Sequence, residues 1–310
     1  MKRLAVVLVN YETPELAVRC LESLAGQVDA GRDRAVVVDS ASRDGSAEKI
    51  AAAIRENRWE PWAEVLPSPR NGGFSAAANL GFKAVRAAMY LLLNSDTALE
   101  PGAVNGMVRA MRENPKAGIL GPRLEFPDGR PQISCFRDRS PASEFLAACG
   151  TRFFTALFRR HQVALPVSEI PMEPEWVSFA CVLIRDEVVK QIGFMDEGYF
   201  LFFEDLDYCR RARKAGWHVL YRPEARVIHL RGQSSPVKEL EAARKRLPAY
   251  YYRSRARYFS KFYGTSGFYL ANLLWMLGRG ISLVRERITH RETAVCEMAS
   301  RDNWMLGGTF

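Results

Sequence analysis

Residues 4–14 run Leu-Ala-Val-Val-Leu-Val-Asn-Tyr-Glu-Thr-Pro, and everything downstream repeats their order. Six apolar residues, half of them Val, form the unbroken run of a strand covered on both faces. The run stops at Asn10, too short for a secretory leader despite the preceding Lys2-Arg3. Thr13-Pro14 then opens a helix predicted over Pro14–Ala25, with proline at the first helical position, where a missing N–H does no harm. Ala35–Val38 is a second buried strand ending at Asp39, and the polar turn Ser40–Gly45 leads to an Ala-rich helix from Ser46. Residues 63–66 suit a third strand. Asn71-Gly72-Gly73 precedes a helix over Phe74–Ala88, and Met89–Leu93 is a further strand ending at Asn94-Ser95-Asp96. This alternation predicts an α/β fold, a mostly parallel sheet flanked by helices with right-handed crossovers. Ligands of such sheets bind beyond the carboxyl ends of the strands, where Asn10, Asp39 and Asp96 all fall.

From Pro122 to Pro174 the pattern is irregular, rich in Pro and Arg, with Phe and Leu gathered over 145–158. Order resumes with a strand at Trp176–Ile184 and a short helix to Ile192. A helix over Glu204–Ala215 follows, then strands at His218–Tyr221 and Ala225–His229. The apolar run Phe268–Val284 is shorter than a bilayer span and is interrupted by Gly278-Arg279-Gly280. It predicts a helix lying in a membrane interface or against the domain. The last ten residues are expected to fray.

The net charge of +9 is unevenly placed. Residues 1–230 hold 30 Lys/Arg against 29 Asp/Glu, leaving 14 against 6 in residues 231–310. A balanced domain, residues 1–235, therefore carries a basic, aromatic-rich helical segment, residues 236–310. Its Lys238, Arg244, Arg253, Arg255 and Arg257 are interleaved with Tyr250–Tyr252 and Tyr258. Such a segment attracts anionic lipid headgroups, nucleic acid or phosphorylated substrates, and charge alone does not choose among them. The six cysteines (20, 135, 149, 181, 209, 296) form no Cys-x-x-Cys pair, which points to reduced core thiols in a cytosolic protein.

Several clusters carry chemistry. Asp96, after five residues of strand and turn, suits a divalent cation such as Mg²⁺ or Mn²⁺ held beside a nucleotide diphosphate; a strand-end Asp also caps turns. Asp39 can accept the imide N–H of a uracil or thymine ring, with the small Ser40 and Ser42 leaving room for it, though Asp44-Gly45-Ser46 also reads as an ordinary turn. Asn71, Gly72 and Gly73 open a helix whose backbone N–H groups can face a pyrophosphate. Asn79, polar among Ala77, Ala78 and Leu80, suits ligand contact or a solvated face. Glu204-Asp205-Leu206-Asp207 places three acids within four residues, behind the aromatic Tyr199–Phe203. Their repulsion is costly for a helix start of no function, and shielding raises a carboxylate toward a useful general base, for which Asp205 is the candidate. The helix dipole would also stabilise acids there. His229 ends the last strand, where a lone histidine is structural more often than ligating.

Taken together these motifs resemble the family 2 glycosyltransferases, in particular the rhamnosyltransferase-like branch that builds bacterial surface polysaccharides. The resemblance spans residues 4–235. It rests on Val9-Asn10-Tyr11, Val38-Asp39-Ser40 with Asp44-Gly45-Ser46, Asn71-Gly72-Gly73-Phe74 with Asn79 and Gly81, and Leu93-Asn94-Ser95-Asp96. Trp176-Val177, Gly193–Glu197, Phe202–Asp207 with Cys209–Ala212, and His229 complete it. The likeness implies a GT-A fold and an inverting single displacement. It implies that Asn10, Asp39, Ser42, the Asn71–Gly73 loop, Asn79 and Asn94 bind the donor, a dTDP- or UDP-linked hexose or deoxyhexose such as rhamnose. Asp96 and His229 would hold the metal, Asp205 would deprotonate the acceptor, and Trp176 and Glu204 would line the acceptor side. The acceptor would be a glycan or lipid-linked hydroxyl, which places the protein peripherally on the cytoplasmic face of the inner membrane, with no nucleic acid partner. Two positions depart from the family pattern. Asn94 stands at the first acidic position of the metal motif, and Phe179 stands where relatives usually carry Gly. A nucleotidyltransferase is the competing enzyme class, but Asn10–Thr13 lacks the basic loop that would grip a triphosphate. A hydride-transferring enzyme would need a Gly-x-Gly-x-x-Gly that is not present.

Overall fold

The computed structural model describes residues 1–230, 232, 235–290 and 293–306. In chain order its elements begin β1 (Lys2–Asn10), α1 (Pro14–Leu24), β2 (Asp33–Asp39), α2 (Ser46–Glu56), β3 (Ala63–Pro67), α3 (Gly73–Ala84) and β4 (Ala87–Asn94). They continue with β5 (Thr97–Leu99), α4 (Ala103–Glu113), β6 (Ala117–Glu125), β7 (Cys135–Phe136), α5 (Pro141–Cys149), α6 (Arg152–Leu157) and a 3-10 turn at Arg159–His161. β8 (Trp176–Val177), β9 (Cys181–Arg185), α7 (Asp186–Ile192), α8 (Glu204–Lys214) and β10 (His218–His229) follow. The last are α9 (Val237–Ala242), α10 (Ala249–Thr289) and α11 (Ala299–Asp302).

Residues 1–136, 166–197 and 204–234 form one compact unit. Its eight-stranded sheet has the order β3-β2-β1-β4-β9-β6-β10-β5. β3, β2, β1 and β4 are parallel, β9 runs antiparallel to both β4 and β6, and β6 is parallel to β10. The carboxyl ends of β1, β2, β4, β6 and β10 therefore meet at one edge. β1 lies inside the sheet with Leu4 to Leu8 fully buried, the reason its sequence is an unbroken apolar run. α1 buries Ala17, Cys20, Leu21 and Leu24, a helical stripe that packs against the strands.

Three stretches differ from the sequence expectation. α4 and β6 fill a stretch the sequence pattern does not announce. β6 contains Gly118, Gly121 and Pro122, which punctuate a sequence like a loop. Here the glycines are needed for close approach: a Cβ at Gly118 would strike Val188 and Trp217, and one at Gly121 would strike Val177. The segment 176–184 divides into β8 and β9. Finally, β10 is one strand across Pro223, because a register shift between Arg222 and Arg226 takes up the proline.

Residues 137–165, 198–203 and 235–310 form the second compact unit. α10 runs through it with one break, at Gly264 (φ 70°), so the aromatic stretch and the apolar run of the sequence belong to one kinked helix. α10 packs closely on α5, where Gly278 is required because a Cβ would strike the Phe145 carbonyl and Cys149 amide. At its centre Arg255, 2% exposed, donates from Nε to Glu144 at 2.8 Å and from Nη1 to Asn272 at 2.7 Å. Arg139 donates to the other oxygen of Glu144 at 3.2 Å. Burial pushes the Glu144 carboxyl up, but the two guanidiniums overcome it and hold Glu144 below the usual carboxylate range. The expected fraying does not extend to the described part of the last ten residues. Asp302 is buried and accepts from Arg246 at 2.6 Å, while residues 307–310 lie outside the described residues.

None of the six cysteines, all among the described residues, is in a disulfide, and five are buried. Burial pushes the Cys20 and Cys135 thiols up to about 12, so they are inert core fillers, as the spacing suggested.

Candidate active site

The edge where the strands end gathers the polar residues. Parallel pairing sets Asn10 opposite Asp39 and Val9 opposite Asn94, so three strand ends lie side by side. Asp39 is buried and cradled. Its Oδ1 accepts from Asn10 Nδ2 at 2.8 Å and from Ser42 Oγ at 2.7 Å, and its Oδ2 accepts from the Ser42 N–H at 3.0 Å. Ser42 Oγ in turn accepts from the Glu12 N–H. Asn10 Oδ1 accepts from Thr13 Oγ1 at 3.0 Å, and Thr13 meets Ser95 Oγ at 2.7 Å. One hydrogen-bonded chain thus runs from Asp39 to the residue before Asp96.

The other end of that chain is unusual. Asp96 is 2% exposed, yet among the described residues its Oδ1 has no hydrogen-bond donor. Nε2 of His229, itself 9% exposed, lies 3.5 Å away, within ion-pair reach and beyond a good hydrogen bond. Gln132 explains which face of the ring points at Asp96. Its Nε2 donates to the carbonyls of Glu125 at 3.1 Å and His229 at 2.7 Å, which fixes the amide. Its Oε1 therefore must accept, and the group it faces at 3.0 Å is Nδ1 of His229. Nδ1 therefore carries a proton, and whenever Nε2 is unprotonated its lone pair faces the carboxylate oxygen. Two acceptors so placed repel unless a cation sits between them. A carboxylate oxygen and an imidazole nitrogen, with the ring oriented by an outer amide, are a donor set that fits a divalent cation. No cluster of three or more ligating side chains occurs among the described residues, so phosphate oxygens or water would complete such a site.

The glycine loop is built as its sequence suggests. Asn71 Oδ1 accepts from the Gly73 N–H at 3.0 Å, and Gly73 starts α3 at φ 82°, where a side chain would be strained. At Gly72 a Cβ would press on Ala76. Asn79 lies deeper in α3. It donates to the Met195 carbonyl and Glu197 and accepts from the Met195 N–H at 2.9 Å, so its side chain fixes the 195–197 turn. The N–H of Asn94 is donated to the Ala180 carbonyl.

α8 begins with the three acids and is joined by three residues to the start of β10. The three acids have different lives. Asp207 accepts from Arg211 one turn on, at 2.6 Å. Glu204 is buried, and its Oε2 has no partner among the described residues. Burial, reinforced by Asp205 and Asp207, pushes its carboxyl well above the usual range, which favours its protonated form. Half-buried Asp205 accepts the Leu206 N–H at 2.8 Å. Just before α8, Phe202 and Phe203 both take positive φ (68° and 71°), rare for aromatic residues and a strain that a functional turn tolerates. Trp176 stacks on Phe136, centroids 4.0 Å apart. Phe179 is buried with its ring edge on Tyr208. Sequence reasoning missed Gln132, whose only signal is its place in the turn after β6.

The fold is that of the GT-A glycosyltransferases. It is shared by a mannosyltransferase from Pyrobaculum calidifontis solved with GDP-mannose and Mn²⁺ (TM-score 0.60, 14% identity, 94% of this chain and 77% of that one). GalNAc-T7, solved with UDP, GalNAc and Mn²⁺, matches equally (TM-score 0.60, 14% identity, 94% and 59%). The family model "Glycosyltransferase like family 2" matches residues 2–252, and the chain belongs to that family: it is a glycosyltransferase of the rhamnosyltransferase-like kind. Among its relatives is the N-acetylglucosaminyl-diphospho-decaprenol L-rhamnosyltransferase of Mycobacterium tuberculosis, 31% identical over 264 residues, 78% of this chain and 81% of that protein. Another is the low-salt glycan biosynthesis hexosyltransferase Agl10 of Haloferax volcanii, 24% identical over 70% of this chain and 63% of its own length.

Proposed function

We propose that the protein transfers a hexose or deoxyhexose, rhamnose foremost, from a dTDP- or UDP-linked donor to a hydroxyl of a glycan or lipid-linked acceptor, with inversion. The observation that carries the metal-dependent form of this proposal is the facing pair Asp96 Oδ1 and His229 Nε2. The mycobacterial relative, named for transfer of L-rhamnose to a diphospho-decaprenol-linked sugar, supports the choice of donor and acceptor. The protein would then work peripherally on the cytoplasmic face of a membrane, with residues 1–235 serving the donor and catalysis and residues 236–310 the membrane or acceptor.

In this scheme Asp39, pre-ordered by Asn10 and Ser42, accepts the imide N–H of the nucleobase. The Asn71–Gly73 loop, whose own Gly72 and Gly73 N–H groups are donated locally, sets the N-terminus of α3 to receive the diphosphate. Asp96 and His229 hold Mg²⁺ or Mn²⁺, which supplies neutralisation of the charge left on the departing diphosphate. Within the acidic cluster, burial favours the protonated form of Glu204 and Asp207 accepts from Arg211, and the half-buried Asp205 is assigned as the carboxylate that takes the acceptor proton. Asp205 acts while the hydroxyl attacks from the face opposite the diphosphate, and inversion follows. Trp176 and Glu204 line the acceptor side, and Asn79 serves the donor through the 195–197 turn it holds.

Incubation with a panel of nucleotide sugars and a polyprenyl-diphosphate-linked sugar tests this, with NMR of the product giving the anomeric configuration. Transfer from dTDP-rhamnose or a UDP-hexose with inversion, abolished by chelation, is expected. Retention of configuration, or transfer undiminished by chelation, overturns it.

A further inference from the structure

The second half of α10, residues 266–289, inverts the usual rule for a helix on a protein surface. Its outward positions are apolar: Leu270, Leu273, Leu277, Val284 and Ile288 recur at three-, four- and seven-residue spacing and are 49–73% exposed. Its inward positions include the buried polar Asn272 and Ser282. From 270 to 288 the outward stripe is about 27 Å long at 1.5 Å per residue, with Arg285 and Arg287 at its margins near the end. α6 extends it sideways. Phe154 packs with Leu274 and Ile281 in one cluster, which sets α6 beside the stripe, and its Phe153 and Leu157 are 70% and 62% exposed. An apolar patch this continuous is a site of interaction.

Charge selects the partner. Residues 150–165 and 265–290 carry six arginines and one acid, Glu286. That acid is held by Arg279 at 2.6 Å. Arg152, Arg159, Arg160 and Arg287 are exposed. A second copy of this chain would bring like-charged rims together. A spanning helix would put Asn272 and Ser282 in hydrocarbon, although α10 is long and apolar enough for a span by length and composition. An apolar strip with arginines at its margins instead matches the boundary between acyl chains and anionic headgroups.

We infer that α6 and the second half of α10 together form a docking face that lies flat in the surface of an anionic phospholipid bilayer. This rests on the proposed peripheral association and names the face responsible for it. The test is co-sedimentation of the full chain with vesicles of phosphatidylglycerol and phosphatidylcholine. It compares the wild type with Leu273→Glu/Leu277→Glu and with Arg159→Glu/Arg160→Glu, alongside melting temperature and transfer to a water-soluble acceptor analogue. The wild type is expected to pellet in a salt-sensitive way. The leucine pair should weaken vesicle partitioning at least about tenfold, and the arginine pair should remove the preference for the anionic lipid. Both variants should keep the melting temperature and soluble transfer. If the wild type fails to pellet, the peripheral association itself is wrong. If the leucine variant pellets like the wild type, the association stands and this face is wrong. A lipid-free dimer that Leu273→Glu/Leu277→Glu dissociates would assign the face to a second copy and overturn the inference.

Discussion

Gln132 makes three buried hydrogen bonds that tie the ends of β6 and β10 together and hold the proton of His229 on Nδ1. Replacing it by Met keeps the length and most of the volume, so little cavity energy enters. What is lost is the acceptor for His229 Nδ1 and the donors for two carbonyls. Each partner left unsatisfied costs about 1–3 kcal/mol, so the loss of all three is expected to lower folding stability by about 3–9 kcal/mol. The imidazole is then free to rotate and to exchange tautomers, so Mn²⁺ affinity in the presence of dTDP or UDP should fall about 10–100-fold, the usual effect of removing an outer-sphere partner. Gln132→Glu separates the two effects. It restores an acceptor for Nδ1 and lacks the donors, so stability should fall while metal affinity is kept. Calorimetric titration of Mn²⁺ into nucleotide-saturated protein, with thermal melts beside it, reads both quantities. Unchanged Mn²⁺ affinity in a folded Gln132→Met protein would refute the role given to this residue.

Asp205→Asn should lower the transfer rate about 10²–10⁴-fold with donor binding intact, checked by turnover and by nucleotide titration. Glu204 binds its proton more tightly folded than unfolded, so its contribution is full below its unfolded value near 4.3 and is lost as pH rises toward its raised folded value. Glu204→Gln should therefore raise the melting temperature, by more at pH 8 than at pH 6. Glu144 has the opposite sign: its stabilisation is present above about 4.3 and disappears as pH falls through its depressed folded value. Glu144→Gln leaves the charge of Arg255 buried and should cost about 3–5 kcal/mol at neutral pH in a denaturant melt.

β1, β2 and β4 were legible because both faces of each are covered, which leaves an unbroken apolar run in the sequence. β6 was not, because its glycines serve close packing and read locally as a loop. The division of residues 137–165 and 198–203 from their neighbours was also hidden. It depends on contacts such as Arg255 with Glu144, 111 positions apart, which no local pattern encodes. Asn10, Asp39 and Asp96 could be found because strand ends mark the ligand-binding edge. The cluster at 204–207 could be found by its charge density, but only burial and the partner Arg211 distinguish its members. Gln132 leaves no trace in composition or spacing, since its importance comes from three partners that the fold delivers.

Crystals grown with Mn²⁺ and dTDP or UDP, examined by anomalous scattering at the manganese edge, would show where the cation binds. One peak within coordinating distance of both Asp96 Oδ1 and His229 Nε2, with the diphosphate on its other side, is expected. A bound diphosphate with no peak at that pair, or a manganese held elsewhere, would contradict the assignment.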